Sequence, residues 1–282
     1  MLVAALISGC QLFVSSDEVQ CRTDADCTGR GSAFAGTVCV ETICVSSADR
    51  CVGHVPDHPE DRAVPLHERF RVVDLGGTGV KGVPVLVCPA LDETCESPVG
   101  APVATDADGY AYLTLWKNFP GTVQIKSPPT SADYFKVKIH FLGAFETDDP
   151  PDRVIPVDSA VRLLTKTLFA LQLNARGSLD PDAGHILASA FDCDAKPRAN
   201  TRIAVSATRT GSPILFYFTD GNLVAQDATA TASTGVFGVA NVPEGPITIT
   251  STTASGQKLG RVEVWVNKDT ISNLALQPTQ NP

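Results

Sequence analysis

The sequence has little basic charge, a single methionine and no long apolar run. Its 22 Lys and Arg residues are outnumbered by 31 Asp and Glu residues, which gives a net charge of -9. A protein that binds nucleic acid normally presents a basic face, so this balance disfavours nucleic acid as a partner. No window approaches the roughly 20 apolar residues that a membrane-spanning helix requires. The sequence therefore predicts neither a nucleic-acid-binding protein nor a helical membrane-spanning protein.

Sequence motifs of catalysis are also scarce. There is no Gly-x-Ser-x-Gly nucleophile elbow, and His67-Glu68 lacks the second histidine of a zinc-protease helix because Arg71 occupies its place. Paired carboxylates of the glycosidase kind can be distant in sequence, so an enzyme remains the third alternative. We predict a non-enzymatic protein that needs no cofactor.

The chain is long enough for a folded protein of more than one domain. Its 282 residues suggest about two domains, and 43% hydrophobic with 19% charged residues is close to the globular average. The 22 glycines and 20 prolines indicate many turns. The composition therefore does not predict a wholly disordered or fibrous chain.

The first ten residues end in a distinctive pattern. Leu2 to Ile7 are apolar, and Ser8-Gly9 then precede Cys10. This run resembles the end of a bacterial lipoprotein signal peptide, which implies that Cys10 is lipidated and anchors the protein to a membrane. No Lys or Arg precedes the apolar run, although a signal peptide starts with a positive region, and a start codon assigned too far downstream would explain that absence. The alternative is an ordinary apolar N-terminus in which Cys10 is free or disulfide-bonded.

The resemblance also implies a cellular location. In lipoproteins of this class an Asp after the lipidated cysteine is associated with retention in the inner membrane, and here that position is Gln11. We therefore expect a lipid-anchored protein of the cell envelope, in the outer membrane if the cell has one. Its expected partner is another envelope or extracellular protein.

Eight cysteines remain after Cys10, an even number that favours disulfides in an exported chain. Two candidate zinc knuckles have spacers of five and four residues instead of two, which disfavours zinc. Eight cysteines allow 105 connectivities. Among them we predict the pairs Cys21–Cys39, Cys27–Cys44 and Cys88–Cys95, which leaves Cys51 with Cys193.

Five of these cysteines fall between residues 21 and 51, a segment with few large apolar side chains. Such a segment cannot order itself by burial alone and requires covalent cross-links. It resembles the short cysteine-rich modules that follow the lipidated cysteine in lipoproteins of myxobacteria and their relatives.

Beyond about residue 65 the pattern changes to short β-branched runs separated by turn residues, which is typical of an all-β protein. The pattern occurs twice. Asp192 follows Asp74 by 118 positions, and the turn Thr105-Asp-Ala-Asp-Gly109 corresponds to Thr231-Ala-Ser-Thr-Gly235 at an offset of 126. Two divergent copies of one domain are the simplest explanation.

The first copy contains Gly82-Val-Pro-Val85, the turn ending at Gly109-Tyr110 and the Pro120-Gly121 turn. These elements resemble the carboxypeptidase regulatory-like domain, a small Greek-key β-sandwich of transthyretin-like shape that is generally an accessory module without chemistry of its own. We therefore predict a mainly β protein in which two Greek-key sandwiches are joined by a short helix-containing linker and preceded by a disulfide-rich segment. The predicted boundaries are 1–9 signal peptide, 10–20 tether, 21–64 cysteine-rich module and linker, 65–145 first sandwich, 146–183 linker with an amphipathic helix, and 184–282 second sandwich and tail.

The linker helix is predicted from its apolar spacing. Pro156 with Asp158 or Ser159 can start and cap it, and an apolar stripe is formed by Val161, Leu164, Leu168 and Leu171. We expect this stripe to pack on a sandwich face or between the two sandwiches. The alternative is a surface helix for a membrane partner.

Two groups of residues are candidates for binding. A glycan or peptide, the alternative to a structural or protein-interaction role, would contact Tyr110, Tyr112 and Trp116 in the first copy, or Tyr217 within Phe216-Tyr217-Phe218 in the second. Alternation along the strands buries some of these rings, so core packing is their default explanation. Asp106 and Asp108 form the one weak candidate for a calcium turn. Alternating carboxylates suit calcium, but the same residues also build structural turns, so we predict no metal site.

Overall fold

The computed structural model describes residues 19–53, 59–128, 131, 133–140, 161–173, 177–207, 211–221, 223–225 and 227–278. The predicted signal peptide, Cys10 and most of the tether lie outside the described residues. The chain divides into two compact units, Met1–Arg50 and Cys51–Pro282. Neither helix in the described ranges has the length and hydropathy to cross a membrane.

The described chain is mainly β, as predicted. Its helices are α1 (Asp24–Thr28) and α2 (Lys166–Leu173). Its strands are β1 (Thr37–Val40), β2 (Ile43–Ser46), β3 (Asp61–Val73), β4 (Pro84–Cys88), β5 (Val103–Ala104), β6 (Tyr110–Lys117), β7 (Thr122–Ile125), β8 (Lys136–His140), β9 (Val161–Arg162), β10 (Gly184–Ala190), β11 (Arg202–Ala207), β12 (Ile214–Phe218), β13 (Val224–Ala225), β14 (Val236–Val242), β15 (Gly245–Thr252), β16 (Lys258–Val266) and β17 (Thr270–Leu276).

The N-terminal unit is a hairpin of β1 and β2 that is cross-linked around α1. Glu41 and Thr42 form its two-residue turn with φ angles of 46° and 72°, the left-handed conformation that suits the twist of a hairpin. The Asp24 carboxylate accepts a hydrogen bond of 2.8 Å from the backbone N–H of Cys39. Ile43 is 47% exposed, so the unit has little apolar core and depends on its disulfides.

The four disulfides join the pairs that the sequence analysis predicts. Two interlace in the N-terminal unit, and the sulfurs of Cys21, Cys27 and Cys44 consequently lie within 4.8 Å of one another. These sulfurs are bonded in disulfides, so the cluster is not a zinc site. The pairs are Cys21–Cys39, Cys27–Cys44, Cys51–Cys193 and Cys88–Cys95.

The first sandwich in the larger unit places the sheet β6-β3-β9 against β8-β7-β4-β5. Side chains alternate along β3 and β6, so that one side of each strand enters the core and the other side faces outward. The core between the sheets includes Phe70, Val85, Leu113, Phe119, Val123 and Leu163.

The second sandwich repeats this arrangement. The sheet β13-β12-β14-β10-β17 packs on β11-β15-β16, and the strands β6, β3 and β9 of the first copy correspond to β14, β10 and β17 of the second. Its core includes Ile186, Ile203, Phe237, Val242, Ile249 and Leu274.

Local hydrogen bonds also repeat between the copies. The hydroxyl of Thr105 donates to the carbonyl of Val80 at 2.6 Å, and the hydroxyl of Thr231 donates to the carbonyl of Arg198 at 2.7 Å. Each hydroxyl also accepts a backbone N–H, from Val83 just before β4 in the first copy and from Thr201 just before β11 in the second. These positions differ by the same offsets of 126 and 118 that the sequence shows.

The two sandwiches share a sheet. Strand β8 of the first pairs in parallel with β17 of the second, from Lys136 opposite Thr270 to His140 opposite Leu274. One nine-stranded sheet therefore runs through both copies, in the order β13-β12-β14-β10-β17-β8-β7-β4-β5. Both predicted sandwiches lie in the same compact unit.

Helix α2 covers the outer side of this sheet, as predicted, but its bounds and buried face differ from the prediction. The Thr165 hydroxyl accepts the backbone N–H of Leu168 at 3.1 Å and so caps a helix that begins at Lys166. Val161 belongs to β9, and Leu171 is 65% exposed. The helix instead buries Phe169 and Leu173, which are four residues apart, beside Phe135, Phe216 and Ile271.

His185 lies beside this apolar cluster, in surroundings that favour its neutral form. Its ring contacts Phe135 and Phe169 at centroid distances of 4.9 and 5.0 Å, and its Nδ1 accepts the backbone N–H of Asn241 at 3.3 Å. Burial lowers the pKa of His185 from 6.5 to about 4, against the smaller opposing effect of Asp269 and Asp180. The neutral ring is therefore the form that the folded protein accommodates.

We expect the free energy of unfolding to fall as the pH is lowered from about 6.5 to 4, because His185 takes up a proton in the unfolded chain before it does so in the folded one. The shift corresponds to about 3 kcal/mol. His185→Asn retains an acceptor near Nδ1 and should flatten this part of the pH profile. Urea unfolding of both proteins across that pH range measures the difference, and parallel profiles would contradict the prediction.

Candidate functional site

The outward side of β3 and β6 forms a face rich in arginine and tyrosine. In the antiparallel register Arg69 lies opposite Tyr112, and Arg71 lies opposite Tyr110. Because side chains alternate along a strand, these four share the side that faces away from the core. We call this surface the arginine–tyrosine face. Its members are His67, Arg69, Arg71, Tyr110, Tyr112, Thr114 and Trp116.

The two arginines are positioned by the Tyr110 ring. The guanidinium carbon of Arg69 lies 4.8 Å from the ring centroid, and that of Arg71 lies at 5.4 Å. Arg71 also donates a 3.3 Å hydrogen bond from Nε to the carbonyl of Asp108. Tyr112 is 62% exposed beside them. The face therefore combines fixed positive charge with an accessible aromatic ring.

Trp116, at the end of this face, has a mixed environment. Its indole packs edge-on against Phe119 with centroids 4.7 Å apart, and its Nε1–H donates to Glu60 at 3.1 Å. The Arg62 guanidinium lies 4.9 Å from the ring centroid. Trp116 is thus half-buried, and the more accessible aromatic side chain of the face is Tyr112.

In the second copy, the candidate aromatic residue Tyr217 lies in the core. Tyr217 is 3% exposed, and its hydroxyl oxygen accepts the backbone N–H of Ile203 at 3.0 Å. Burial also raises the pKa of Tyr217. Phe216 and Phe218 lie in the cluster beneath α2. Strand β12 is covered on both sides. Its side chains alternate between the core of the second sandwich and the cluster beneath α2, so neither side is exposed.

The matching face of the second copy is likewise covered. Tyr112 corresponds, at the offset of 126, to Gly238, where an added Cβ would lie 2.2 Å from the Phe216 ring. Tyr110 corresponds to Val236, which packs against the α2 cluster. The same sheet face of the domain is therefore apolar and covered by side chains in the second copy, whereas in the first copy it carries arginine and tyrosine and is accessible.

The acidic turn of the first copy is a structural turn. Asp106 Oδ1 accepts the backbone N–H groups of Asp108 and Tyr110 at 2.9 and 2.8 Å, and Gly109 follows with φ of 85°. This is the bonding of an Asx turn. Beyond the disulfide sulfurs, no group of three potential metal ligands occurs in the described ranges.

We expect Asp108→Asn to change the free energy of unfolding by no more than about 1 kcal/mol, and calcium to leave the melting temperature unchanged. Asp106→Ala should cost about 1 to 2 kcal/mol, since it removes both side-chain hydrogen bonds. A bound ion at 100 times its dissociation constant would instead stabilise the fold by about 2.7 kcal/mol. A calcium-dependent rise in melting temperature that Asp108→Asn abolishes would contradict the structural assignment.

The arginines of the face were not among the candidates from sequence. Arg69 and Arg71 flank the buried Phe70, so the alternating Arg-Phe-Arg pattern was the available signal. It becomes informative only when β3 is known to pair with the strand that holds Tyr110 and Tyr112.

No protein-family model and no curated protein matches the sequence. Among solved structures, the Bacillus anthracis TIE protein aligns at 14% identity and a TM-score of 0.25, covering 77% of this chain and 34% of that protein. A streptococcal ancillary pilin aligns at 15% identity and a TM-score of 0.24, and the alignment covers 78% of this chain and 64% of that protein. BcpA, the major pilin subunit of Bacillus cereus, aligns at 9% identity and a TM-score of 0.25, and the alignment covers 76% of this chain and 100% of that protein. The chain thus spans about a third and just under two thirds of the first two proteins, and likenesses of this degree carry no argument about function.

Proposed function

We propose that this protein is a non-enzymatic lipoprotein of the cell envelope, whose first sandwich binds another envelope or extracellular protein through the arginine–tyrosine face. The sandwiches are proposed to be of the carboxypeptidase regulatory-like type, on the strength of the sequence elements quoted above. The observation that carries the proposal is the contrast between the copies, in which one face is covered by helix α2 in the second and accessible in the first.

The residue types of the face suit a protein partner. Arginine, tyrosine and tryptophan are enriched at the centres of protein interfaces, where each combines apolar area with hydrogen-bonding groups. Arg69 and Arg71 are already held against Tyr110, so little conformational entropy remains to be lost on binding. A partner with carboxylates fits a cationic face on a chain whose net charge is -9.

The disulfides support a location outside the cytoplasm. Four disulfides persist in an oxidising compartment, whereas cytoplasmic thiols are kept reduced. The sequence before Cys10 is the separate indication of export, and the resemblance to a lipobox makes that cysteine the proposed attachment point of the lipid.

Site-specific photo-crosslinking in the native host tests the interaction. A photoreactive residue in place of Tyr112 should give a discrete adduct with an envelope or extracellular protein, and Arg69→Glu with Arg71→Glu should abolish it. Leu223 is 68% exposed in the second copy and is the matched control position. Equal adducts from positions 112 and 223, or adducts that survive the charge reversal, would refute the assignment of this face.

Palmitate labelling tests the anchor. The protein, expressed from its native gene in its native host, should incorporate the label and fractionate with membranes. Cys10→Ser should lose the label and be released, because the proposed thioether attachment is removed. A variant that remains in the membrane fraction would eliminate the lipid anchor from the proposal.

A further inference from the structure

A cavity of about 300 Å3 lies beside the seam at which the two sandwiches share a sheet. Strand β8 contributes Lys138 and His140, β7 contributes Thr122, and β16 contributes Trp265. Thr122 lies directly opposite His140 in the register of β7 and β8. The loop closed by Cys88–Cys95 lines another side. The cavity is distinct from the arginine–tyrosine face.

Three buried polar atoms of this lining have no hydrogen-bond partner among the described residues. They are the hydroxyl oxygen of Thr122, Nε2 of His140 and the indole N–H of Trp265. Thr122 is only 7% exposed. More than nine in ten buried polar groups in proteins are hydrogen-bonded, so three such atoms around one cavity indicate a place for polar groups of a ligand.

Lys138 adds a charged donor to the same lining. Its side chain is 2% exposed, and its ammonium donates to the carbonyl of Glu93 at 2.8 Å and to Oδ1 of Asn267 at 3.3 Å. An ammonium has three hydrogens, so one donor remains. Burial and the Lys138 charge lower the pKa of His140 to about 3, which leaves its ring neutral, with one donor and one acceptor nitrogen.

The charges of the lining select the ligand class. The acidic residues Asp92, Glu93 and Glu263 line the cavity together with Lys138, and the Glu263 carboxylate also pairs with Arg261. The carboxylates outnumber the cations, which disfavours an anion, while the buried ammonium disfavours a cation at the floor. A neutral ligand with several hydroxyl groups meets both donors and acceptors without a charge penalty.

The remaining walls are apolar. Pro89, Pro120 and Pro246 line the cavity together with the Trp265 ring, and such surfaces pack against the C–H faces of a sugar ring. A volume near 300 Å3 is at the lower end of the range for small-molecule sites. We propose that this cavity binds a neutral sugar, either free or as the terminal residue of a glycan, with Thr122, Lys138, His140 and Trp265 as its hydrogen-bonding residues.

The chain has two tryptophans, Trp116 and Trp265, so the indole N–H region of an NMR spectrum reports on the cavity directly. Titration with D-glucose, D-mannose and N-acetyl-D-glucosamine at millimolar concentrations should shift the Trp265 signal saturably for at least one of them. D-glucuronate and D-glucosamine, which carry opposite charges, should bind at least tenfold more weakly. Dextran and mannan distinguish the two forms of the ligand. A site for the terminal residue of a glycan should bind these polymers, whereas a site for free sugar should not.

Isosteric variants assign the binding to the cavity. Thr122→Val and Trp265→Phe should each weaken binding measured by calorimetry about tenfold, the effect of one ligand hydrogen bond. Thr122→Val should not lower the melting temperature, because it removes a hydroxyl without a protein partner. Thr234→Val is the matched control, since the Thr234 hydroxyl is also buried without a partner but lies away from the cavity.

Trp116→Phe completes the design, because Trp116 belongs to the arginine–tyrosine face. Unchanged binding in Trp116→Phe and Thr234→Val supports the cavity. Binding lost in Trp116→Phe alone would assign the sugar to the arginine–tyrosine face and overturn the proposal. No saturable shift with the three neutral sugars, or equal binding of glucuronate or glucosamine, would also overturn it, while the photo-crosslinking result at position 112 would stand independently.

Discussion

Replacement of Cys51 and Cys193 together by alanine is expected to lower the free energy of unfolding by about 5 kcal/mol. This disulfide closes a loop with a sequence separation of 142 residues and connects the start of the larger unit to the second sandwich. Without it, the unfolded chain gains the conformational entropy of that long loop. Guanidinium unfolding of the double variant under non-reducing conditions measures the loss.

The matched control is the double alanine variant of Cys88 and Cys95, whose disulfide spans a separation of seven residues. Loop entropy alone predicts a loss of about 2 kcal/mol there. The difference between the variants should therefore be near 3 kcal/mol. Equal losses, or a larger loss from the short loop, would show that chain entropy does not determine the contribution of the long disulfide.

Gly109→Ala is expected to cost about 3 kcal/mol, and Gly235→Ala about the same. Both glycines have left-handed φ angles, 85° and 69°. An added Cβ would lie 2.3 Å from the carbonyl oxygen of Val72 in the first copy and 2.4 Å from that of Ala190 in the second. Each substitution thus combines a strained backbone with a clash against a strand that cannot move away, effects of about 1 to 2 kcal/mol each.

Gly77→Ala separates these two effects. Gly77 has φ of 83°, and an added Cβ would meet no atom within 4 Å. It should therefore cost only the conformational part, about 1 kcal/mol. Urea unfolding of the three single variants gives the comparison. A cost for Gly109→Ala as small as that for Gly77→Ala would mean that the turn can shift away from β3.

Much of the fold follows from local patterns in the sequence. Alternating apolar residues define the sandwich strands, and the spacing of Asp74 and Asp192 defines the repeat that the hydrogen bonds reproduce. The need for disulfides in the N-terminal segment also follows, because few apolar residues accompany the cysteines between 21 and 51, although the pairing itself is one of 105 connectivities. The strands and the disulfide-dependent segment are predictable because they depend on residues that are close together in the chain, and the repeat is predictable because the same short patterns recur at a fixed spacing.

The helix shows where local patterns fail. Val161 fits the helical period, yet it pairs in parallel with Val72 of β3. A strand of two residues has no periodicity of its own, and its partner is almost 90 positions earlier in the chain. Phe169 is buried because Phe135 and Phe216 meet it from distant elements, so the helical stripe is determined by tertiary packing.

The candidate sites depend even more on distant pairing. The arginine–tyrosine face exists because β3 and β6 are neighbours, which places Arg69 beside Tyr112. The cavity brings Thr122 and His140 to Trp265, over 120 positions further along the chain. Individually these residues have no unusual sequence context, so periodicity and motif spacing could not assemble them.

The shared sheet has a consequence for how the array of sandwiches ends. In the first copy the outer edge of β8 is occupied by β17, whereas its counterpart β16 has no strand beyond it within the described ranges. The junction is therefore head-to-tail, a type of contact that recruits further copies wherever its geometry does not close a ring. Strand β16 exposes Lys258, Arg261 and Glu263, and charges along an open edge discourage the addition of another strand. The same domain thus uses the edge of β8 to join the two copies, and its charged side chains protect the equivalent edge of β16 from pairing with another strand.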